Sequence, residues 1–136
     1  SVVMSAPDPA AAARRSVLLA AAREFNAGRY FEAHEVVEEG LESVPDGLWT
    51  LHLGLIQVAV GYHKASQGLL AGAAKMLALG LAKLADYDSA TAGVDLDGLR
   101  ARVAADLAAL GDGNWQPARL QRDRPRLRPL PSRASK

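Results

Sequence analysis

One segment, LWTLHLGLIQVAVGYHKASQ (48–67), constrains the fold more than any other part of the chain, because it is apolar nearly all the way round. A helix without a polar face has to be covered by other elements, so this one belongs in the middle of a bundle. Asp46 can cap its start and Gly68 can close its end. Hydrophobic residues make up 49% of the chain and aromatic residues only 5%, a composition that favours helix over sheet.

Capping and turn residues divide the rest of the chain into four more helices. Asp8-Pro9 is a strong helix start, Asn26-Ala27-Gly28 and Gly111-Asp112-Gly113 are stops, and Asp95 is a cap. The predicted ranges are 9–25, 30–43, 70–87 and 96–110, with a loop at 88–94. We therefore expect an all-α, single compact bundle of about five helices, antiparallel where the loops are short. Residues 8–111 form this domain, preceded by a flexible lead (1–7) and followed by a basic, irregular, Pro/Arg-rich tail (112–136).

The charge is distributed unevenly along the chain. From Arg119 onward, six arginines and Lys136 oppose the single Asp123, whereas the formal net charge of the whole chain is only +1. The helical domain is therefore acidic and the tail basic. The tail is either an arm that contacts nucleic acid phosphates or an acidic protein partner, or a solubilising terminus docked on its own or a neighbouring domain. Because no aromatic residues are interleaved with the arginines, no specific nucleic acid is expected.

Several classes of function are excluded by what the sequence lacks. There are no cysteines, which removes disulfides, thiol nucleophiles and cysteine-bound metals. No apolar run approaches the roughly 20 residues of a membrane span, and no basic-then-apolar signal sequence is present. We therefore expect no membrane association and a cytoplasmic location. The G-x-S-x-G elbow, the P-loop and the dinucleotide fingerprint are all absent.

The second predicted helix carries the strongest candidate for a functional site. Its four-residue spacing places His34 and Glu38 on one face that is otherwise apolar, whereas the other glutamates of this helix fall on the solvent side. A buried carboxylate needs a partner, because leaving it unpaired is costly. The candidate polar cluster consists of His34, Glu38, Glu35, Gln57 and Tyr30.

This cluster has three interpretations. In the first, it is a buried polar network that only fixes helix packing. In the second, His34 and Glu38 bind a divalent metal, with His63 or His52 as a third ligand, in a metal-binding protein or metal-dependent hydrolase. In the third, His34 is a general base in a small-molecule pocket. The run His34-Glu35-Val36-Val37-Glu38 departs from the HExxH zinc motif, since Glu38 stands where a second histidine is needed.

The central helix leaves a second question open. Thr50, Gln57 and Lys64 recur every seven residues and share a face with Gly54 and Gly61. This face is either a thin strip exposed to solvent, or a surface where the glycines let another helix approach closely while Gln57 makes a buried hydrogen bond. The glycine-bearing helices can pack within one chain or across a homo-dimer.

Three blocks of the chain resemble a known family. FNAGRYFEAHEVVEE, GLIQVAVGYHK and GAAKMLALGLAKL are similar in order and spacing to the helical family catalogued as domain of unknown function 309, over about Glu24 to Leu84. The resemblance implies an all-helical domain without an established activity. The positions that match its signature are Phe25, Asn26, Gly28, Tyr30, Phe31, Glu32, His34, Glu35, Glu38, Gly54, Leu55, Ile56, Gln57, Ala59, Gly72 and Ala73. This chain departs from the family pattern at Gly40-Leu41, where a tryptophan is usual, and at Leu53, where glutamine is common.

Overall fold

The computed structural model describes residues 8–131, so the predicted lead at 1–7 and the last five residues of the tail lie outside the described residues. Between these limits the chain forms a compact all-α bundle, which confirms the predicted fold class. The helices are α1 (Pro9–Asn26), α2 (Tyr30–Glu39), α3 (Asp46–Ser66), α4 (Leu70–Leu84), α5 (Ser89–Ala92), α6 (Leu96–Gly111) and α7 (Arg119–Arg122). A 3-10 turn at Leu41–Ser43 follows α2. The short helices α5 and α7 were not predicted.

Most of the predicted helix starts and stops are confirmed. The Asp8 carboxylate accepts a hydrogen bond from the backbone N–H of Ala10 (3.0 Å), and that of Asp95 accepts one from Gly98 (3.0 Å). Gly28 and Gly68 follow α1 and α3 with φ angles of +83° and +79°, a region that favours glycine.

Several local assignments were wrong. The second helix, predicted for 30–43, ends at Glu39, and the fourth, predicted for 70–87, ends at Leu84. Asp46 is the first residue of α3 and not its cap, because Pro45 holds the capping position and no side chain caps this end. The predicted loop at 88–94 contains α5, because the Asp88 carboxylate accepts a hydrogen bond from the backbone N–H of Thr91 (2.7 Å) and nucleates one helical turn.

The apolar helix α3 occupies the centre of the bundle, as its sequence predicts. It packs most extensively against α4 and next against α2, while α1 covers α2 and α6 covers α4. The turns between α1 and α2 and between α3 and α4 are only three residues long, so these neighbours run antiparallel. Tyr62, Leu51 and Leu77 are fully buried where these helices meet.

Glycines allow α3 and α4 to approach each other closely. A Cβ atom on Gly54 would lie 3.2 Å from the carbonyl oxygen of Gly80, and one on Gly61 would lie 2.7 Å from Cγ of Leu77. The close-approach interpretation of this face is therefore confirmed. The buried hydrogen bond predicted for Gln57 is not confirmed, because its side-chain oxygen is buried without a hydrogen-bond partner.

Substituting Gly80 is expected to separate these two helices. In Gly80→Ala the new Cβ would lie 2.9 Å from the carbonyl oxygen of Gly54 and 3.0 Å from the backbone nitrogen of Val58, and backbone atoms cannot rotate away. We expect the free energy of unfolding in urea to fall by about 1–3 kcal/mol, the usual cost of overpacking a core. Gly47→Ala is the matched control, because no atom lies within 4 Å of its new methyl group. Equal stability of the two variants would contradict the close packing.

None of the helices between residues 8 and 131 is both long enough and apolar enough to cross a bilayer.

Candidate functional site

The predicted pair on α2 forms, but it is not buried. His34 Nε2 lies 3.4 Å from Glu38 Oε2, and the side chain of His34 is 14% exposed whereas that of Glu38 is 63% exposed. The prediction of a buried His–Glu cluster was therefore wrong. The buried stripe of α2 consists of Tyr30, Ala33 and Val37, and Glu38 lies beside it on the solvent side. Because α2 ends at Glu39, its apolar face does not continue beyond the pair.

Phe31 separates the histidines that were expected to share a metal. Its ring centroid lies 4.7 Å from that of His34 and 5.1 Å from that of His63, and the Phe31 side chain has no ligand atom. His34 Nδ1 also contacts the carbonyl oxygen of Phe31. Within residues 8–131, no group of three or more histidine, aspartate or glutamate side chains is placed to hold a metal ion. The set His34, Glu38 and His63 is thus not assembled in this part of the chain.

The other members of the predicted cluster lie elsewhere. Tyr30 points into the core, where its ring contacts Phe25 (centroids 5.2 Å apart) and Tyr62 (5.6 Å). Glu35 is exposed. The Tyr30 hydroxyl and the Gln57 side-chain oxygen have no hydrogen-bond partner. The structure therefore brings together only His34 and Glu38 of the five residues.

The most extensive buried polar network is centred on Asp106, which the sequence analysis missed. Asp106 and Tyr62 are both fully buried. One carboxylate oxygen of Asp106 accepts hydrogen bonds from the Tyr62 hydroxyl (2.6 Å) and from Arg102 Nε (2.9 Å). The other accepts one from Arg119 Nε (2.6 Å). Two guanidinium groups compensate the buried charge, so we interpret this network as structural.

The sequence does contain a signal for the part of this network that lies on α6. Asp106 continues the buried stripe of α6 formed by Leu99 and Val103, and Arg102 precedes it by four residues, the spacing of a helical ion pair. Arg119 reaches Asp106 from beyond the end of α6, and no local pattern indicates that contact. Burial and the Asp106 charge raise the pKa of the Tyr62 hydroxyl, so it remains a donor.

Residues 112–131, the described part of the predicted tail, pack against the helices. Trp115, Leu120 and Leu127 are buried in the core. The Asn26 side chain at the end of α1 donates to the carbonyl oxygen of Leu127 (3.0 Å) and accepts from its backbone N–H (2.7 Å). Arg15 donates to the carbonyl oxygen of Leu130 (2.6 Å). The division of the chain into a helical domain at 8–111 and a tail at 112–136 stays a prediction, and the described part of the tail is docked on the bundle.

This docked segment presents a row of cations. Arg124, Arg126 and Arg128, here called the arginine row, are exposed and alternate with the buried Pro125 and Leu127. The alternation follows from the sequence, because a residue before proline avoids the helical region and two of the three arginines precede prolines. Asp95 N–H donates to the carbonyl oxygen of Arg128 (2.8 Å) and fixes the end of the row.

The arginine row borders an open groove of about 320 Å³. Arg102 adds a fourth cation to its lining, and two carboxylates, Asp95 and Asp123, also contribute. Asp95 already caps α6, and Asp123 Oδ2 lies 3.4 Å from Arg102 Nη1. The groove therefore keeps an excess of positive charge.

His52 is another buried side chain whose polar atoms have no hydrogen-bond partner. It is 1% exposed, and neither ring nitrogen has a hydrogen-bond partner. It lines a cavity of about 60 Å³ that also contains Arg14 and Ser43. Burial, and then the charge of Arg14, lower the pKa of His52 to about 4. The imidazole is therefore neutral at neutral pH.

These observations define an all-α bundle with a structural carboxylate–arginine network and a basic segment docked on its surface. Residues 18–76 match the family model described as "Domain of unknown function (DUF309)", which confirms the resemblance to that family. No curated protein and no solved structure matches the chain. The matched range ends before α6, so the Asp106 network and the arginine row lie largely outside it.

Proposed function

We propose that this protein is a binding module for polyanions, with single-stranded nucleic acid as its partner and the arginine row as its contact surface. The observation that carries the proposal is the alternation of exposed Arg124, Arg126 and Arg128 with buried Pro125 and Leu127. In an extended chain alternate residues lie about 6.6 Å apart on one face, so the row offers evenly spaced cations to a chain of evenly spaced phosphates.

The backbone that carries the row is held in place before any partner binds. Asn26 makes two hydrogen bonds to the backbone of Leu127, and Arg15 and Asp95 bind the backbone of Leu130 and Arg128. A preorganised backbone loses less conformational entropy on binding than a flexible arm does. Guanidinium groups also bind phosphate oxygens in a bidentate manner, which a lysine cannot do.

The contact would be independent of base sequence. Trp115 is buried, and no aromatic side chain belongs to the row or to the lining of its groove. Base stacking is therefore not available at this surface, and phosphate contacts supply the affinity. Such binding depends strongly on salt, because each neutralised phosphate releases counterions.

Removing two arginines of the row is expected to weaken binding and flatten its salt dependence. For single strands the logarithm of the binding constant falls by about 0.7 per phosphate contact for each decade of salt. With three contacts, the affinity of the wild type for oligo(dT) should therefore fall about twentyfold between 50 and 200 mM salt. In Arg126→Gln/Arg128→Gln only the contact of Arg124 remains, and the affinity should fall about threefold over the same range. Fluorescence anisotropy measures both slopes.

A charge-matched variant separates local contacts from net charge. Lys75→Gln/Lys83→Gln removes two cations of α4, a helix that contributes no residue to the groove beside the row. This control should keep the wild-type slope. Equal slopes for the two double variants would contradict a contact at the row. Binding of polyglutamate with the affinity of oligo(dT) would instead indicate an acidic protein partner.

A further inference from the structure

An apolar stripe on the outer side of α3 stays accessible to solvent. It consists of Trp49, Leu53, Ile56 and Val60. Trp49 is 39% exposed and the other three side chains are half-buried. They are spaced by four, three and four positions, the pattern of the apolar seam along which two helices pack in a coiled coil. Within residues 8–131, only α2 and α4 pack extensively on α3, and neither covers the stripe fully.

The helices α2 and α4 flank the stripe on its two sides. On the α2 side, the ring of Phe31 lies against that of His63, with centroids 5.1 Å apart. On the α4 side, Lys64 lies over Gly72, where an added Cβ atom would be 3.1 Å from Cδ of the lysine. Because successive residues of a helix are rotated by about 100°, the stripe falls between His63 and Lys64. The three helices therefore share one surface, here called the outer face.

The outer face is acidic along one edge and basic along the other. Along α2 the edge carries Glu35 and Glu38, and this helix contains no lysine or arginine. Along α4 the edge carries Lys75 and Lys83, and this helix contains no aspartate or glutamate. Leu79, which is 40% exposed, lies between the two lysines. An apolar stripe bordered by opposite charges is complementary to a second copy of itself.

The two charged edges are level with each other. Both α2 and α4 run antiparallel to α3 and begin beside its C-terminal end, at the contacts described above. Glu35 lies four residues beyond Phe31, about 6 Å along α2. Lys75 lies three residues beyond Gly72, about 4.5 Å along α4. The carboxylate and the ammonium group are therefore at nearly the same height on opposite sides of the stripe.

We propose that the outer face is the interface of a homodimer, in which α3 packs against α3 of a second copy. A two-fold axis parallel to α3 places the acidic edge of each copy opposite the basic edge of the other. Glu35 then faces Lys75 of the partner subunit, and the symmetry produces this contact twice. The same axis makes the two α3 helices parallel, so the two stripes meet along their whole length.

The extent of the outer face suits a stable dimer. The 21 residues of α3 span about 30 Å, and α2 and α4 lie about 8–10 Å to either side of it. This extent is comparable with the roughly 800 Å² that each partner buries in a standard interface. A partner of a single charge sign would match only one edge of the face, whereas a second copy matches both.

This inference is independent of the proposed function. No residue that lines the groove beside the arginine row belongs to α2, α3 or α4. Association through the outer face therefore leaves the arginine row of each copy open. Oligo(dT) too short to reach both rows of a dimer reports on one row only, so a failure of nucleic acid binding and a failure of association are separate results.

Charge reversal tests the proposed pair without changing the core. Glu35 and Lys75 are both exposed, so Glu35→Lys and Lys75→Glu should fold as the wild type does. Each variant places like charges opposite one another at two symmetric contacts. We expect the dissociation constant of the dimer, measured by analytical ultracentrifugation, to rise about tenfold. The double variant Glu35→Lys/Lys75→Glu restores opposite charges with their signs exchanged, so it should dimerise about as tightly as the wild type.

Asp112→Lys is the matched control. It changes the net charge as Glu35→Lys does, at an exposed residue beyond the end of α6 and outside the outer face. Its dissociation constant should equal that of the wild type.

Three outcomes would overturn the proposal. A wild type that stays monomeric at millimolar concentration would leave the outer face to a different partner. A dimer that both single variants weaken no more than Asp112→Lys does would have its interface elsewhere. Weaker association in the single variants without recovery in the double variant would contradict the two-fold arrangement. Recovery in the double variant is the result that the pairing of Glu35 with Lys75 of the partner subunit predicts.

Discussion

Asp106→Ala is expected to lower the free energy of unfolding by about 3–5 kcal/mol, the usual cost of removing one partner from a buried ion pair. The substitution removes the acceptor of three hydrogen bonds at once. It leaves the hydroxyl of Tyr62 buried without a partner and two guanidinium groups, Arg102 and Arg119, without their shared counter-charge. Arg119 is also one of the links between α6 and the docked segment, so the packing of that segment should loosen as well.

Urea unfolding followed by circular dichroism measures this effect. Asp97→Ala is the matched control, because the side chain of Asp97 is 83% exposed and pairs with Arg100 on the same helix. An exposed pair of this kind contributes about 0–1 kcal/mol. The free energy of unfolding of Asp106→Asn should lie between those of Asp106→Ala and Asp97→Ala, since the amide oxygen still accepts one or two of the hydrogen bonds. If Asp106→Ala were no less stable than Asp97→Ala, the network would not hold the segment.

His52 is expected to make the protein less stable as the pH falls. Burial first, and then the charge of Arg14, lower its pKa from 6.5 to about 4 in the folded state. Between these two values the unfolded chain binds the proton and the folded protein does not, so protonation favours unfolding. The contribution is fully present above pH 6.5 and is lost progressively down to pH 4. At pH 5 the loss amounts to about 2 kcal/mol relative to pH 7.5.

The comparison with His52→Leu isolates this contribution from other titrating groups. In the variant the free energy of unfolding should depend less on pH, by about 2 kcal/mol between pH 7.5 and pH 5. Urea titrations at the two pH values provide the measurement. Parallel pH profiles for wild type and variant would show that His52 is protonated equally easily in both states, which would contradict its burial without partners.

The features that sequence analysis predicted correctly depend on residues close together in the chain. Asp8-Pro9 and Asp95 start helices, and Gly28 and Gly68 end them, through contacts that span a few residues. The central position of α3 follows from its apolar composition alone.

What the sequence missed depends on contacts between distant residues. The hydrogen bonds between Asn26 and Leu127 join positions 101 residues apart, and Arg119 reaches Asp106 across the end of α6. Neither contact has a local signature. The error at His34 and Glu38 has a related cause. The spacing correctly predicted that the two side chains meet, but the neighbouring helices decide which side of α2 is buried.

The central claim is that binding takes place at the arginine row and not at the face of α2 that carries His34 and Glu38. Titration of ¹⁵N-labelled protein with oligo(dT), followed by amide chemical shifts, tests it most directly. The account predicts the largest shift changes at Arg124, Arg126 and Arg128 and at Asn26, which holds their backbone. Changes concentrated on α2 and around His63, or no changes at low salt, would contradict it.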